Sequence, residues 1–252
     1  MKKFFNFILI LILCSAAYAA EYQSPISKNR ENYFAGGNKD DQTKFQLSLQ
    51  ADLFYPFNTG MYLGYTQTTW WKVYDGADTM SSNYQPEVFY KLKSKNNIFG
   101  NANLKAVDFI QIGPYNHCSN GIEGPDHRGI NIYYGQMQIS TPGRVSLGIN
   151  FKGFGYYGVS RRNEDIKEYK GYYANDVFLK INSADTEDLS LAELHFKHGG
   201  TLSKRWYCIE AQTIIFSSKI QPRLFCQYYN GYGENILNYN IKDHSLYCGL
   251  IF

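Results

Sequence analysis

Hydrophobic and polar residues alternate along most of the chain. In "KFQLSLQADLF" Phe45, Leu47, Leu49, Ala51 and Leu53 interleave with Lys44, Gln46, Ser48, Gln50 and Asp52. Successive side chains of a strand point to opposite faces, so this pattern predicts a strand with one oily and one wet face. "RVSLGINFK" repeats it, with Val145, Leu147, Ile149 and Phe151 opposite Arg144, Ser146, Gly148, Asn150 and Lys152. The same reading places strands near 31–37, 43–54, 61–73, 83–95, 101–117, 129–140, 144–157, 168–181, 187–198, 205–217, 222–232 and 244–252. "SLYCGLIF" ends the chain on Phe252 after alternating Leu246, Cys248 and Leu250, in the manner of a bacterial outer-membrane barrel.

The expected fold is therefore all-β, a twelve-stranded antiparallel transmembrane β-barrel over 31–252. Through the first two thirds, connections alternate between brief (55–60, 96–100, 141–143) and longer (74–82, 118–128, 158–167). Short turns on one side and long loops on the other suit a barrel with both termini in the periplasm. A passive porin or adhesin and a secreted soluble lipase are the competing classes. The lipase reading lacks the G-x-S-x-G elbow of an α/β hydrolase.

Residues 1–19, "MKKFFNFILILILCSAAYA", carry a lysine pair, an apolar core of about ten residues and the exit Ala17-Tyr18-Ala19. That is the grammar of a secretory signal peptide, since a spanning helix needs roughly twenty apolar residues. Residues 20–30 then form a periplasmic N-terminal segment.

Composition narrows the partners. Without Lys2 and Lys3 the 25 basic residues of the whole chain fall by two against 22 acidic ones, a mature charge of about +1. That gives no basic footprint for nucleic acid. Aromatics make up 17% of the chain, with 23 tyrosines, which fits an exported protein whose amphipathic rings sit at a membrane interface. Cys118, Cys208, Cys226 and Cys248 remain after the signal, with no CxxC pair or metal-ligand spacing, and free thiols are expected.

Several polar residues fall on the oily face. Asn131 shares parity with Tyr133, Gly135, Met137 and Ile139, while His117 and Ser119 share it with Val107, Phe109 and Tyr115. Unpaired polar groups against hydrocarbon cost several kcal/mol each, so this grouping implies mutual hydrogen bonds or a function. The bland alternative is a rim position within reach of headgroups and water. Cys118 is turned by the same alternation toward the lumen and ranks below Ser119 as a nucleophile. Gln67 shares a face with Leu63 and Tyr65, and either pairs with its copy across a two-fold axis or sits in the aromatic girdle beside Trp70 and Trp71.

"KFQLSL", "YTQTTWW", "NYQPEVF", "YNHCSNG", the "RGIN" segment, "YKGYY" and "NGYGENILNYN" together resemble the bacterial outer-membrane phospholipase A family. The resemblance implies a calcium-dependent homodimer, monomeric at rest, that hydrolyses the sn-1 and sn-2 acyl esters of phospholipids and lysophospholipids. It makes Ser119 the nucleophile, His117 the general base, Asn131 the residue that orients the imidazole, and the Gly121 N–H an oxyanion donor. It places Ca2+ ligands at Ile122 and His127, with a partner-subunit oxygen from the loop at 74–82, and Gln67 at the dimer interface. Imidazole is a poor calcium ligand, so the expected set is the Ile122 and His127 carbonyls with the Asp126 carboxylate, and Glu123 in reserve.

Overall fold

A computed structural model describes residues 24–38, 42–55, 57, 59–72, 79–93, 107–119, 127–183, 190–215 and 222–252. Its strands are β1 (Ile26–Lys28), β2 (Tyr33–Gly37), β3 (Gln42–Asp52), β4 (Met61–Lys72), β5 (Thr79–Lys93), β6 (Val107–Ser119) and β7 (Gly129–Ser140). There follow β8 (Val145–Val159), a short helix α1 (Ile166–Lys170), β9 (Tyr173–Asn182), β10 (Ser190–Gly200), β11 (Arg205–Ile214), β12 (Arg223–Gly231) and β13 (Asp243–Ile251).

Among the described residues, twelve antiparallel strands, β2 to β13, form a closed ring. Each neighbour in sequence is a neighbour in space, and the ring shuts where Ile251 of β13 lies opposite Tyr33 of β2. Closure leaves no open edge of unpaired N–H and C=O groups, the condition for a β structure in hydrocarbon. β1 pairs with the lower part of β3, Ile26 opposite Ala51, as an interrupted continuation of β2. Sheet pairing thus starts before residue 31.

The alternation sorts as read over most of the barrel. Leu49, Leu63, Leu147, Ile149, Leu179, Leu194, Ile209, Leu224 and Leu250 are exposed on the outside, while Lys44, Ser48, Gln50, Thr66 and Gln227 are buried within. Among the described residues no helix is long and apolar enough to cross a membrane, and the strands do the crossing.

Side chains fill much of the interior. At the long-loop end, Ile166 of α1 and Ile236 and Tyr239 of the β12–β13 loop join Ile130 and Ile132 in an apolar cluster that continues down the wall through Tyr134, Tyr115 and Phe89 to Tyr62 near the short-turn end. Tyr156 Oη donates to the Gly171 carbonyl at 2.7 Å and so ties the β8–β9 connection to the wall. The expected strand over 168–181 begins only at Tyr173, because Ile166–Lys170 is the helix that plugs the mouth. Midway down, Lys44 Nζ reaches Gln227 Oε1 and Glu234 Oε1, each at 2.6 Å, inside a ring of Tyr33, Trp70, Phe225 and Tyr247.

Two cysteines differ from expectation. Cys226 and Cys248, directly opposite on β12 and β13, are joined in a disulfide, leaving Cys118 and Cys208 free. Parity puts both partners on the outer face, where register alone makes them neighbours.

Candidate active site

The residues of interest lie where β5, β6 and β7 reach the long-loop end. β6 does not alternate without a break. Val107 stands opposite Ile139 and Phe109 opposite Gln138, so Asp108 is one residue too many, a β-bulge. The Asp108 carboxylate accepts from Gln138 Nε2 at 2.8 Å and Ser140 Oγ at 2.7 Å, which holds the extra residue on the inner side. Above the bulge parity is reversed relative to Val107. Gln111, Tyr115, His117 and Ser119 point inward and are buried, and Ile112 is exposed outside.

This corrects the expectation that His117 and Ser119 face lipid. His117 is 3% exposed, lines the internal cavity, and its Nε2 lies 3.4 Å from Gln85 Nε2. Ser119 is fully buried. Its Oγ accepts from the Arg128 backbone N–H at 2.9 Å, and its own N–H donates to the Arg128 carbonyl at 2.9 Å. Cys118 consequently faces outward, not toward the lumen, with its thiol 3.9 Å from the Tyr84 carbonyl.

Asn131 holds the outward position that the alternation gives it. Its Oδ1 accepts from Asn116 Nδ2 at 2.7 Å, also on the outer face. Gly158 of β8 lies beneath; a Cβ there would stand 2.7 Å from Asn131 Nδ2, so the amide occupies space that only glycine leaves open. The structure therefore brings His117 and Ser119 to one face of β6 and sets Asn131 on the other. His117 is opposite Ile130, and Asn131 is opposite Asn116.

Asn163 was not anticipated from the sequence. Fully buried in the β8–β9 connection, its Oδ1 accepts from the Gly129 N–H and its Nδ2 donates to the Gly129 carbonyl, both at 3.3 Å. It fixes the first residue of β7 and hence the height of Asn131. "RRNED" carries no signal for such a clamp. Gln85, which stands between His117 and Arg30, was equally invisible.

Gln67 faces outward as expected. Its Oε1 accepts from Tyr65 Oη and its Nε2 donates to Thr69 Oγ1, both at 3.1 Å, and Thr69 Oγ1 is 2.9 Å from Ser82 Oγ. The amide is satisfied within its own wall, so burial in a contact would leave no unpaired group.

Of the metal candidates, Ile122, Asp126 and Glu123 lie outside the described residues, as does the oxyanion candidate Gly121. His127 is described. Its carbonyl accepts from Arg128 Nη1 at 3.1 Å, and its ring Nδ1 is buried without a hydrogen-bond partner. A carboxylate with two carbonyls is chemistry a hard cation favours, but a guanidinium already holds the described carbonyl. A carbonyl oxygen keeps a second lone pair beside that one hydrogen bond, so this oxygen can still join such a set. Among the described residues no group of three His, Cys, Asp or Glu could hold a metal.

Residues 3–252 match the family model for phospholipase A1. The chain belongs to the phospholipase A1 family. Among its relatives, the Klebsiella pneumoniae phospholipase A1 is 26% identical over 224 residues, 86% of this chain and 72% of that one. The Escherichia coli K12 enzyme is 25% identical over 224 residues with the same coverage, and the Proteus vulgaris enzyme 25% over 238 residues, 91% and 76%. Solved relatives share the fold. The Escherichia coli outer membrane phospholipase A superposes with a TM-score of 0.72 at 22% identity, covering 94% of this chain and 96% of that one. A Salmonella typhi outer membrane phospholipase dimer with bound calcium gives 0.72 at 21%, with the same coverage. This phospholipase A1 family member is thus a phospholipase of the bacterial outer membrane.

Proposed function

We propose that the chain hydrolyses the sn-1 and sn-2 acyl esters of phospholipids and lysophospholipids with Ser119 as nucleophile. The observation that carries this is the placing of His117 and Ser119 on one face of β6, two residues apart, in a phospholipase A1 family member. Ser119 Oγ attacks the ester carbonyl carbon while His117 takes its proton. The tetrahedral intermediate collapses to an acyl-enzyme, and His117 returns the proton to the departing alcohol oxygen. Water then repeats the sequence, releasing fatty acid and restoring Ser119. The developing oxyanion needs preorganised donors, and the Gly121 N–H takes that role in this reading.

Asn131 is the third member, orienting the imidazole and fixing its tautomer without adding charge. It meets His117 only if the end of β6 turns over by one residue. Calcium dependence and activation by dimerisation complete the reading. They are supported by the calcium-bound dimer of the Salmonella typhi relative and by the oxygen-donor chemistry of Asp126. Bound there, calcium would supply positive charge beside the oxyanion. Gln67, on the outer face of β4, lies at the dimer contact.

The test is phospholipid hydrolysis in detergent micelles by wild type and Ser119→Ala, each with calcium and with chelator. Activity that needs Ser119 supports the nucleophile, and equal hydrolysis by a properly folded Ser119→Ala removes it. Chelator-resistant activity removes calcium while leaving the serine chemistry standing.

A further inference from the structure

The barrel interior holds a cavity of about 420 Å³, and its basic side chains outnumber its acidic ones. Pairing accounts for every carboxylate on its wall. Glu234 is taken by Lys44 at 2.6 Å, Glu210 by Lys197, and Glu31 by Lys28 at 2.7 Å. Three cations that line the same cavity remain: Arg30, Lys152 and Lys170.

Arg30 touches Glu87, with Nη2 3.5 Å from Oε1, but Glu87 also accepts from Asn29 Nδ2 and from Tyr134 Oη, each at 2.7 Å. That carboxylate has little left to give. Lys152 Nζ lies over the rings of Tyr134 at 4.0 Å and Tyr115 at 4.9 Å and touches no described carboxylate. Lys170 Nζ reaches only the Gly233 carbonyl, at 3.4 Å. Arg30, the Glu87 carboxylate and Lys170 are all within electrostatic reach of Lys152, two like charges against one opposite. Burial, with the charge of Arg30, brings the Lys170 ammonium down to about 8, so its charge is poorly compensated.

Unpaired ammonium groups in a low-dielectric interior are costly, and an anion between them relieves the cost. Two ammonium groups and a guanidinium fork match a multivalent oxyanion better than a halide. We propose that Arg30, Lys152 and Lys170 form an anion site inside the barrel that takes a phosphate group, as free phosphate or as a small soluble phosphomonoester. Rings such as Tyr33, Trp70, Tyr115 and Phe154 also line the cavity, but its unpaired charges are all cationic, and a small anion answers them where an acyl chain does not. His117 lines the same cavity, so the anion site adjoins the proposed serine chemistry, but none of its three cations takes part in that chemistry.

Isothermal titration of the refolded full chain in neutral detergent, at fixed ionic strength in chloride, tests it with inorganic phosphate and with glycerol 3-phosphate as separate titrants. Saturable binding of at least one is expected, weakened at least tenfold in Lys152→Met and in Lys170→Met and unchanged in Lys242→Met, an exposed control. The tighter titrant identifies the source. Heat-modified gel mobility verifies that each variant is a closed barrel. Thermal unfolding supplies a second readout: phosphate raises the midpoint of wild type, and both lysine variants are insensitive to it. No saturable binding of either titrant, or equal affinity in all variants, overturns the site.

Discussion

Asn116 Nδ2 donates to Asn131 Oδ1 at 2.7 Å on the outer wall, while His117, the next residue after Asn116, points into the barrel toward Gln85. Two amides thus compete to be the partner of the imidazole. If Asn131 orients it in the working enzyme, Asn131→Ala lowers kcat by about 10- to 100-fold, and Gln85→Ala by less than about threefold. Micellar hydrolysis by the two variants decides. A larger loss in Gln85→Ala would put the working imidazole on the lumen side and remove Asn131 from the triad.

The facing of β6 can be read chemically. Cys118 is the one described free thiol on the outer wall, since Cys208 is buried within. A membrane-dissolved maleimide is expected to label Cys118 in the wild-type barrel in bilayers. In a Cys118→Ser/Ser119→Cys variant the label should fall by about tenfold or more, because neighbouring strand residues face opposite ways. Equal labelling of both would contradict the bulge at Asp108.

That bulge shows how far the sequence could be read. β3 and β8 were legible because every second side chain obeys one solvent, and an unbroken run of such residues fixes parity. β6 carried the same cue at Val107 and Phe109, yet its site lies beyond an inserted residue that slips the pattern by one. A bulge has no residue type of its own, and Asp108 announces it only through Gln138 and Ser140 on the next strand. Asn131 was placed on the correct side because no bulge in β7 separates it from Met137 and Ile139. The helix at 166–170 was hidden for a different reason: "IKEYK" is packed by the barrel mouth, and five residues are too few to show a period.

The buried ion pair of Lys44 and Glu234 gives a stability test. Their side chains are 5% and 7% exposed, and Lys44 Nζ also sits 5.4 Å from the Trp70 ring and 5.2 Å from that of Tyr247. Removing one partner strands the other charge, so Lys44→Met is expected to cost about 3–5 kcal/mol, while Lys44→Met/Glu234→Gln recovers most of it. Urea unfolding of vesicle-inserted protein measures both. Equal losses in the single and double variants would mean the rings, not the charge, hold this position.

The Cys226–Cys248 bridge closes a loop of 22 residues between adjacent strands. Cys226→Ala should lower stability by about 2–4 kcal/mol, chiefly by releasing the unfolded chain. Alkylation in denaturant before and after reduction checks the bond: Cys118 and Cys208 label without reductant, and Cys226 and Cys248 only with it. Labelling of all four in unreduced protein would disprove the bridge.

The plug formed by Ile166, Ile236 and Tyr239 bears on the cell as well as on the fold. A ring of twelve strands is wide enough to be a hole, and an outer membrane studded with holes admits bile salts, dyes and antibiotics. Apolar side chains wedged into the long-loop mouth make this cylinder a stopper instead. A barrel stoppered in this way is expected to pass no steady ion current in a planar bilayer, so that a cell could carry many copies without becoming more permeable.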